Sequence, residues 1–265
     1  MILRAVVYAV LAFLLIPIAI IILFSFHSSP ALSFPFEGFS LRWYSELFGN
    51  AQLLSAVGRS LTVAVATAVV TLVVGAFASL AWLRLSRRGK IVLEFICIVP
   101  IAMPALFLGV ALLVGFAQIR LPLSMITVTL GHVVLALPML MVAMRARLAL
   151  FDPSLEDAAR DLGAGTITTF LRVTLPLAMP TLIASTILAF AMSFDEFVVT
   201  SFVAGTETTL PLFIWSMMRR TVTPLINAVS TLALVFSVLL MVLAGVITHL
   251  RRAKAISDAT DGRQF

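Results

Sequence analysis

Two adjacent carboxylates, Asp195 and Glu196, sit inside an otherwise apolar stretch of the chain. Charges in such surroundings are costly unless they face water, a cation or a partner charge. Phe194 and Phe197 flank the pair and Trp215 follows, and aromatic faces attract ammonium groups by cation–π contact. The chemistry on offer is attraction of an organic cation. The plainer alternative is that the two acids pair with Arg219 and Arg220 and stabilise a hairpin. Adjacent helical residues point about 100° apart, so one carboxylate can face a pathway while the other pairs inside the protein. Other chemistries lack their residues. His27, His132 and His249 lie in three different segments with no Cys beside them, which gives a metal no ligand set. Gly89-Lys90 is followed by Ile91, so there is no phosphate-binding loop, and no Gly-x-Ser-x-Gly occurs. His132, in the middle of an apolar run, is a functional candidate as an ionisable residue within a span; the plainer reading, a neutral imidazole hydrogen-bonded between helices, is favoured. The chain is expected to carry no catalytic activity.

The elements that hold these residues belong to a membrane. Of 265 residues, 62% are hydrophobic and 11% charged, with a mean hydropathy of +1.15, against roughly 45–50% and 25% in soluble domains. A membrane helix needs about 20 apolar residues. Charge-free windows of that length run over 5–26, 60–83, 95–119, 121–144, 173–194 and 221–250, the fifth continuing beyond its acids to about 203. The reading is an all-α bundle of six spans in a single domain, 1–265. Only Arg120-Leu121-Pro122 separates the third and fourth runs, which predicts a tight hairpin with Pro122 opening the return helix. Pro100, Pro104, Pro138 and Pro180 are expected to kink or break their helices. Trp43 and Tyr44, before the second span, are expected in an interfacial aromatic belt.

Six spans put both termini on one side, and the basic residues choose it. With a cytoplasmic N-terminus, the inner segments hold Arg4, Arg84, Arg87, Arg88, Lys90, Arg145, Arg147, Arg160, Arg172, Arg251, Arg252, Lys254 and Arg263. The outer ones hold Arg42, Arg59, Arg120, Arg219 and Arg220. Thirteen against five places both ends in the cytoplasm. The net charge of +6 thus concerns orientation and headgroups rather than nucleic acid. The single cysteine, Cys97, can form no internal disulfide.

The loop 145–172 is the long hydrophilic stretch on that side. Asp152 suits an N-cap, Pro153 a first helical position, and Glu156 and Asp157 the early turns that a helix dipole favours. Gly163 suits a left-handed end. The predicted helix, of about ten residues, is too short to stand alone. Leu155, Ala158, Ala159 and Leu162 share one face, small enough for another surface to approach closely. The helix therefore reads as a plug for a partner's groove, or else as a connection packed on the protein's own spans.

These residues carry a resemblance. Asp157-Ala158-Ala159-x3-Gly163-x9-Val173-x-Leu175-Pro176 resembles the Glu-Ala-Ala…Gly…Ile-x-Leu-Pro signature of permease subunits of binding-protein-dependent ABC importers, with Asp157 for Glu and Val173 for Ile. Gly38-Phe39-Ser40-Leu41-Arg42-Trp43-Tyr44, the segment from Ser193 to Gly205, and Pro224-Leu225-Ile226-Asn227-Ala228 are similar to permeases of the spermidine/putrescine type. The resemblance implies the six-helix type I importer fold in a bacterial inner membrane. It implies that Leu155, Glu156, Asp157, Ala158, Ala159, Arg160, Leu162 and Gly163 form a coupling helix docking on an ATPase. It also implies two ATPase subunits that hold ATP and Mg, a paralogous permease, a periplasmic solute-binding protein and no cofactor in this chain. The solute implied is a polyamine such as putrescine or spermidine. An opine or other organic amine, a sugar or an iron chelate would suit an importer too, and an ATP-independent secondary transporter would leave the docking loop unexplained.

Overall fold

The structure, a computed structural model, describes residues 2–31, 35–220 and 223–261. Its helices, in chain order, are α1 (Ile2–Phe24), α2 (Arg42–Gly49), α3 (Ala51–Arg84), α4 (Arg87–Ala102), α5 (Ala105–Gln118) and α6 (Met125–Leu148). Then follow α7 (Ser154–Asp161), α8 (Thr166–Thr169), α9 (Leu175–Asp195), α10 (Val198–Val203), α11 (Leu210–Arg220) and α12 (Pro224–Asp261), with a π turn over Phe170–Thr174 between α8 and α9. A chain that must satisfy every backbone group inside lipid has little alternative to helices. Five are long and apolar enough to cross a membrane, and six when the bent pair α4–α5 counts as one span. Thr221 and Val222, where the sixth apolar run opens, and Arg263 lie outside the described residues.

The run 95–119 is two helices that meet at 112°. Pro104 has no N–H to continue the ladder and forces Met103 into an extended conformation (φ −82°, ψ 133°). Pro138 and Pro180, in contrast, lie inside the uninterrupted helices α6 and α9. The return helix does not open at Pro122. Ser124 and Thr127 form a reciprocal capping box, each side chain accepting from the other's end of the turn, and this fixes the start at Met125. Arg120 takes a left-handed backbone (φ 55°) in the connection.

The chain divides into two compact units. One comprises residues 1–59 and 208–239. In it, α1 is exposed along nearly its whole length and ends in an aromatic knot of Phe24, His27, Phe36 and Phe39. Trp43 is buried, its indole N–H donating to the His27 carbonyl at 2.6 Å, and Tyr44 shares a 2.7 Å hydrogen bond with Ser25. Trp43 therefore pins the segment after α1 rather than joining an interfacial belt, because a buried indole needs an acceptor.

The other unit comprises residues 60–207 and 240–265. Leu140, Met144 and Leu148 of α6 pack with Ala178 and Leu182 of α9. Glycines permit close approach where lipid supplies no hydrophobic drive. A Cβ on Gly75 would stand 2.3 Å from the Leu140 side chain, and one on Gly109 would stand 2.5 Å from the Phe202 ring. Glu94, in the middle of α4, ties the ends of α3 and α6 to it, pairing with Arg145 at 3.0 Å and accepting from the Trp82 indole at 3.0 Å.

Candidate functional site

Helix α9 stops at Asp195 because Glu196 turns extended (ψ 116°), and α10 restarts at Val198. The two carboxylates on this break have different surroundings. Glu196 is half-buried, and its Oε1 accepts the Val199 N–H at 2.9 Å, so it caps α10, where an anion suits the free amides. Asp195 is exposed and carries no hydrogen bond or ion pair among the described residues. Phe194 is buried and Phe197 half-buried beside them. Trp215 lies on α11, half-exposed, in the first unit.

Beneath the break lies a buried polar chain. His132 of α6, 2% exposed, reaches Ser193 Oγ with Nδ1 (2.7 Å) and Thr200 Oγ1 with Nε2 (2.8 Å). Ser193 Oγ is 3.2 Å from Thr67 Oγ1 on α3, and the Thr200 hydroxyl donates to the Glu196 carbonyl at 2.7 Å. The interhelical histidine was legible as a lone polar residue in an apolar run. Its partners were not, since Ser193, Thr200 and Thr67 meet it only through the fold. Among the described residues, no cluster of three or more His, Cys, Asp or Glu is placed to hold a metal.

The loop helix α7 has eight residues, two fewer than its sequence suggests. Asp152 Oδ1 accepts the Ser154 N–H at 3.0 Å. Hydrogen bonds from the Ser154 backbone and hydroxyl hold this exposed carboxyl below the usual carboxylate range. Gly163 ends the helix at φ 82°, its N–H reaching the Arg160 carbonyl at 2.8 Å. One side of α7 is anchored: Glu156 accepts from the Thr174 hydroxyl at 2.5 Å and pairs with Arg160, which also pairs with Asp157. The other side is open. Leu155 is 47% exposed and Leu162 89%, Ala158 is exposed, and Ala159 is half-buried. The helix is thus fixed on one side and leaves Leu155, Ala158 and Leu162 exposed on the other.

Residues 71–255 match the model of the binding-protein-dependent transport system inner membrane component family, and the chain belongs to that family, as an inner-membrane permease. It is 37% identical over 242 residues to the spermidine/putrescine transport system permease protein PotC of Escherichia coli (strain K12), covering 91% of each. To PotC of Haemophilus influenzae it is 36% identical over 247 residues, covering 93% of this chain and 96% of the relative. To the putrescine transport system permease protein PotI of Escherichia coli (strain K12) it is 37% identical over 230 residues, covering 84% and 82%. Among solved structures it resembles a bacterial ABC transporter involved in import of the acidic polysaccharide alginate, with a TM-score of 0.76 at 17% identity, covering 92% and 94%. It also resembles an amino acid ABC transporter, with a TM-score of 0.62 at 17% identity, covering 78% and 97%. At that identity the two structures speak for the fold, that of ABC importer permeases.

Proposed function

We propose that this permease forms half of the translocation pathway for a small organic cation, a polyamine of the putrescine or spermidine class, and that ATP hydrolysis on a separate subunit drives it. The observation that carries the reading is Asp195, an exposed carboxylate without a partner at the end of a membrane helix, while its neighbour Glu196 is consumed as a cap. An unneutralised acid at such a place suits a cationic solute and disfavours an anion. The relatives named for spermidine and putrescine transport point the same way. Phe197, half-buried beside Asp195, supplies an aromatic face for the ammonium groups. Both termini and α7 lie in the cytoplasm, where the outward face of Leu155, Ala158, Ala159 and Leu162 docks on the ATPase. A paralogous permease completes the pathway, and a periplasmic binding protein delivers the solute. Closure of the ATPase pair on ATP moves the coupling helices together and opens the pathway outward; hydrolysis resets it.

The test is purification of the chain from its native membrane in mild detergent, with the retained proteins identified by mass spectrometry. Recovery of an ATPase, a second permease and a soluble binding protein that binds putrescine or spermidine is expected. Recovery of the chain alone, under conditions that keep other membrane complexes intact, would overturn the importer reading. A co-purifying binding protein that ignores polyamines would overturn the solute.

A further inference from the structure

A helix break inside a membrane protein leaves carbonyls and amides that lipid cannot satisfy. At the α9–α10 break these groups are claimed one by one. Glu196 Oε1 takes the Val199 N–H, and the Thr200 hydroxyl donates to the Glu196 carbonyl. The Thr200 proton is thereby spent, so its oxygen can only accept from His132, and Nε2 must carry the imidazole hydrogen. Nδ1 then accepts the Ser193 hydroxyl at 2.7 Å, which shares its single proton with the longer contact to Thr67 Oγ1 at 3.2 Å. One neutral tautomer satisfies both sides, and the ring spans the break, gripping α9 two residues before Asp195 and α10 four residues after Glu196. Thr67 of α3 backs Ser193, and the imidazole, Thr67 and Thr200 are all buried. Histidine suits this task because its two nitrogens point in different directions from a rigid ring, one donating and one accepting.

We infer that His132 is a positioning residue for the solute pathway: it clamps Ser193 to Thr200 across the break and so keeps Asp195 turned out of the bundle. The inference rests on the reading of Asp195 as the pathway carboxylate, but its structural half stands apart from the solute. The clamp sets where position 195 points, whatever passes it. The transport half follows if Asp195 acts on the solute, because releasing the clamp then removes what Asp195 contributes.

Two measurements on the intact importer in membrane vesicles separate these halves. In a Cys97→Ala background with Asp195→Cys, the rate of modification by an impermeant thiol reagent reports the exposure of position 195. Thr200→Val, which keeps the shape and deletes the hydroxyl, and His132→Leu should each change this rate about fivefold, a scale set by loss of one buried hydrogen bond. The rate at a control cysteine on α2, placed by Glu46→Cys at an exposed position, should not move, and Thr200→Ser should restore the original rate. Unchanged labelling at position 195 in Thr200→Val overturns the clamp, including where His132→Leu fails to accumulate. With Asp195 intact, the same variants should lower the maximal rate of polyamine uptake and leave its half-saturation concentration in place, since the binding protein sets the latter. Added to Asp195→Asn, they should lower uptake no further. Full additivity would make His132 a packing residue and overturn the positioning role. Altered labelling together with full uptake by Asp195→Asn would instead remove the pathway reading and leave the clamp standing.

Discussion

Glu196 spends its carboxylate on the Val199 N–H, whereas Asp195, one position earlier, points outward unpartnered. The two acids should therefore respond differently to neutral substitution. Asp195→Asn keeps size and polarity and removes only the charge, so polyamine uptake should fall about tenfold, the effect of losing roughly 1.4 kcal/mol of charge–charge attraction, with no loss of protein from the membrane. Radiolabelled putrescine uptake, normalised to the amount of permease, checks this; undiminished uptake would remove the cation station. Glu196→Ala should act on stability first. It deletes the cap of α10 at a cost of about 1 kcal/mol, read as a lower midpoint of thermal unfolding in detergent. Sequence alone exposes the pair as an anomaly, since two acids interrupt an apolar run. It leaves undecided which acid faces outward, because the choice depends on where the backbone leaves the helix, and the side chains that meet across that break, His132 and Thr200, come together only in the fold.

At the scale of the element, α7 shows how a short helix can be held without being covered. Glu156 and Arg160 fasten one side to Thr174 and to each other, leaving Leu155, Ala158 and Leu162 outward. A bulky residue on the small face, as in Ala158→Trp, should strip the ATPase from the purified complex while the permease still inserts; retention of a full ATPase complement would send the docking reading back to a mere connection. The cap at Asp152 adds a pH dependence whose sign is fixed by its depressed carboxyl. Its contribution is complete above the unfolded value near 4 and is lost as pH falls through the folded value, so ATPase retention should be flat from neutral pH down to about 5. Helix packing makes a harder prediction. Gly109→Val would drive a side chain into the Phe202 ring, and overpacking costs about 1–3 kcal/mol, read as a lower unfolding midpoint in detergent. The helices, α7 among them, were legible because apolar runs, caps and Gly163 are local signals. The sharp bend between α4 and α5 was visible only as prolines, and the burial of Trp43 not at all, since it depends on the His27 carbonyl arriving from sixteen residues away.

At the scale of the molecule, orientation decides whether the energetics can work. ATP is a cytoplasmic fuel, so a permease that borrows its drive from a partner must present α7 on the cytoplasmic side. The helices alone are silent on this, because a bundle turned upside down satisfies the same hydrogen bonds. The basic residues are not silent: Arg84, Arg87, Arg88 and Lys90 flank one end of α3 and α4, and Arg145 and Arg147 close α6 at that same end. At about 1 kcal/mol for each basic residue near an anionic surface, the excess of thirteen over five favours one orientation by several kcal/mol. The loop opposite, 119–124, carries Arg120 alone. In intact cells carrying Cys97→Ala, Leu121→Cys should therefore react with an impermeant thiol reagent, while Ser154→Cys should react only after the membrane is opened. The reverse pattern would place α7 where no ATPase can reach it, and coupling to ATP through that helix would have to be abandoned even with the fold and the family unchanged.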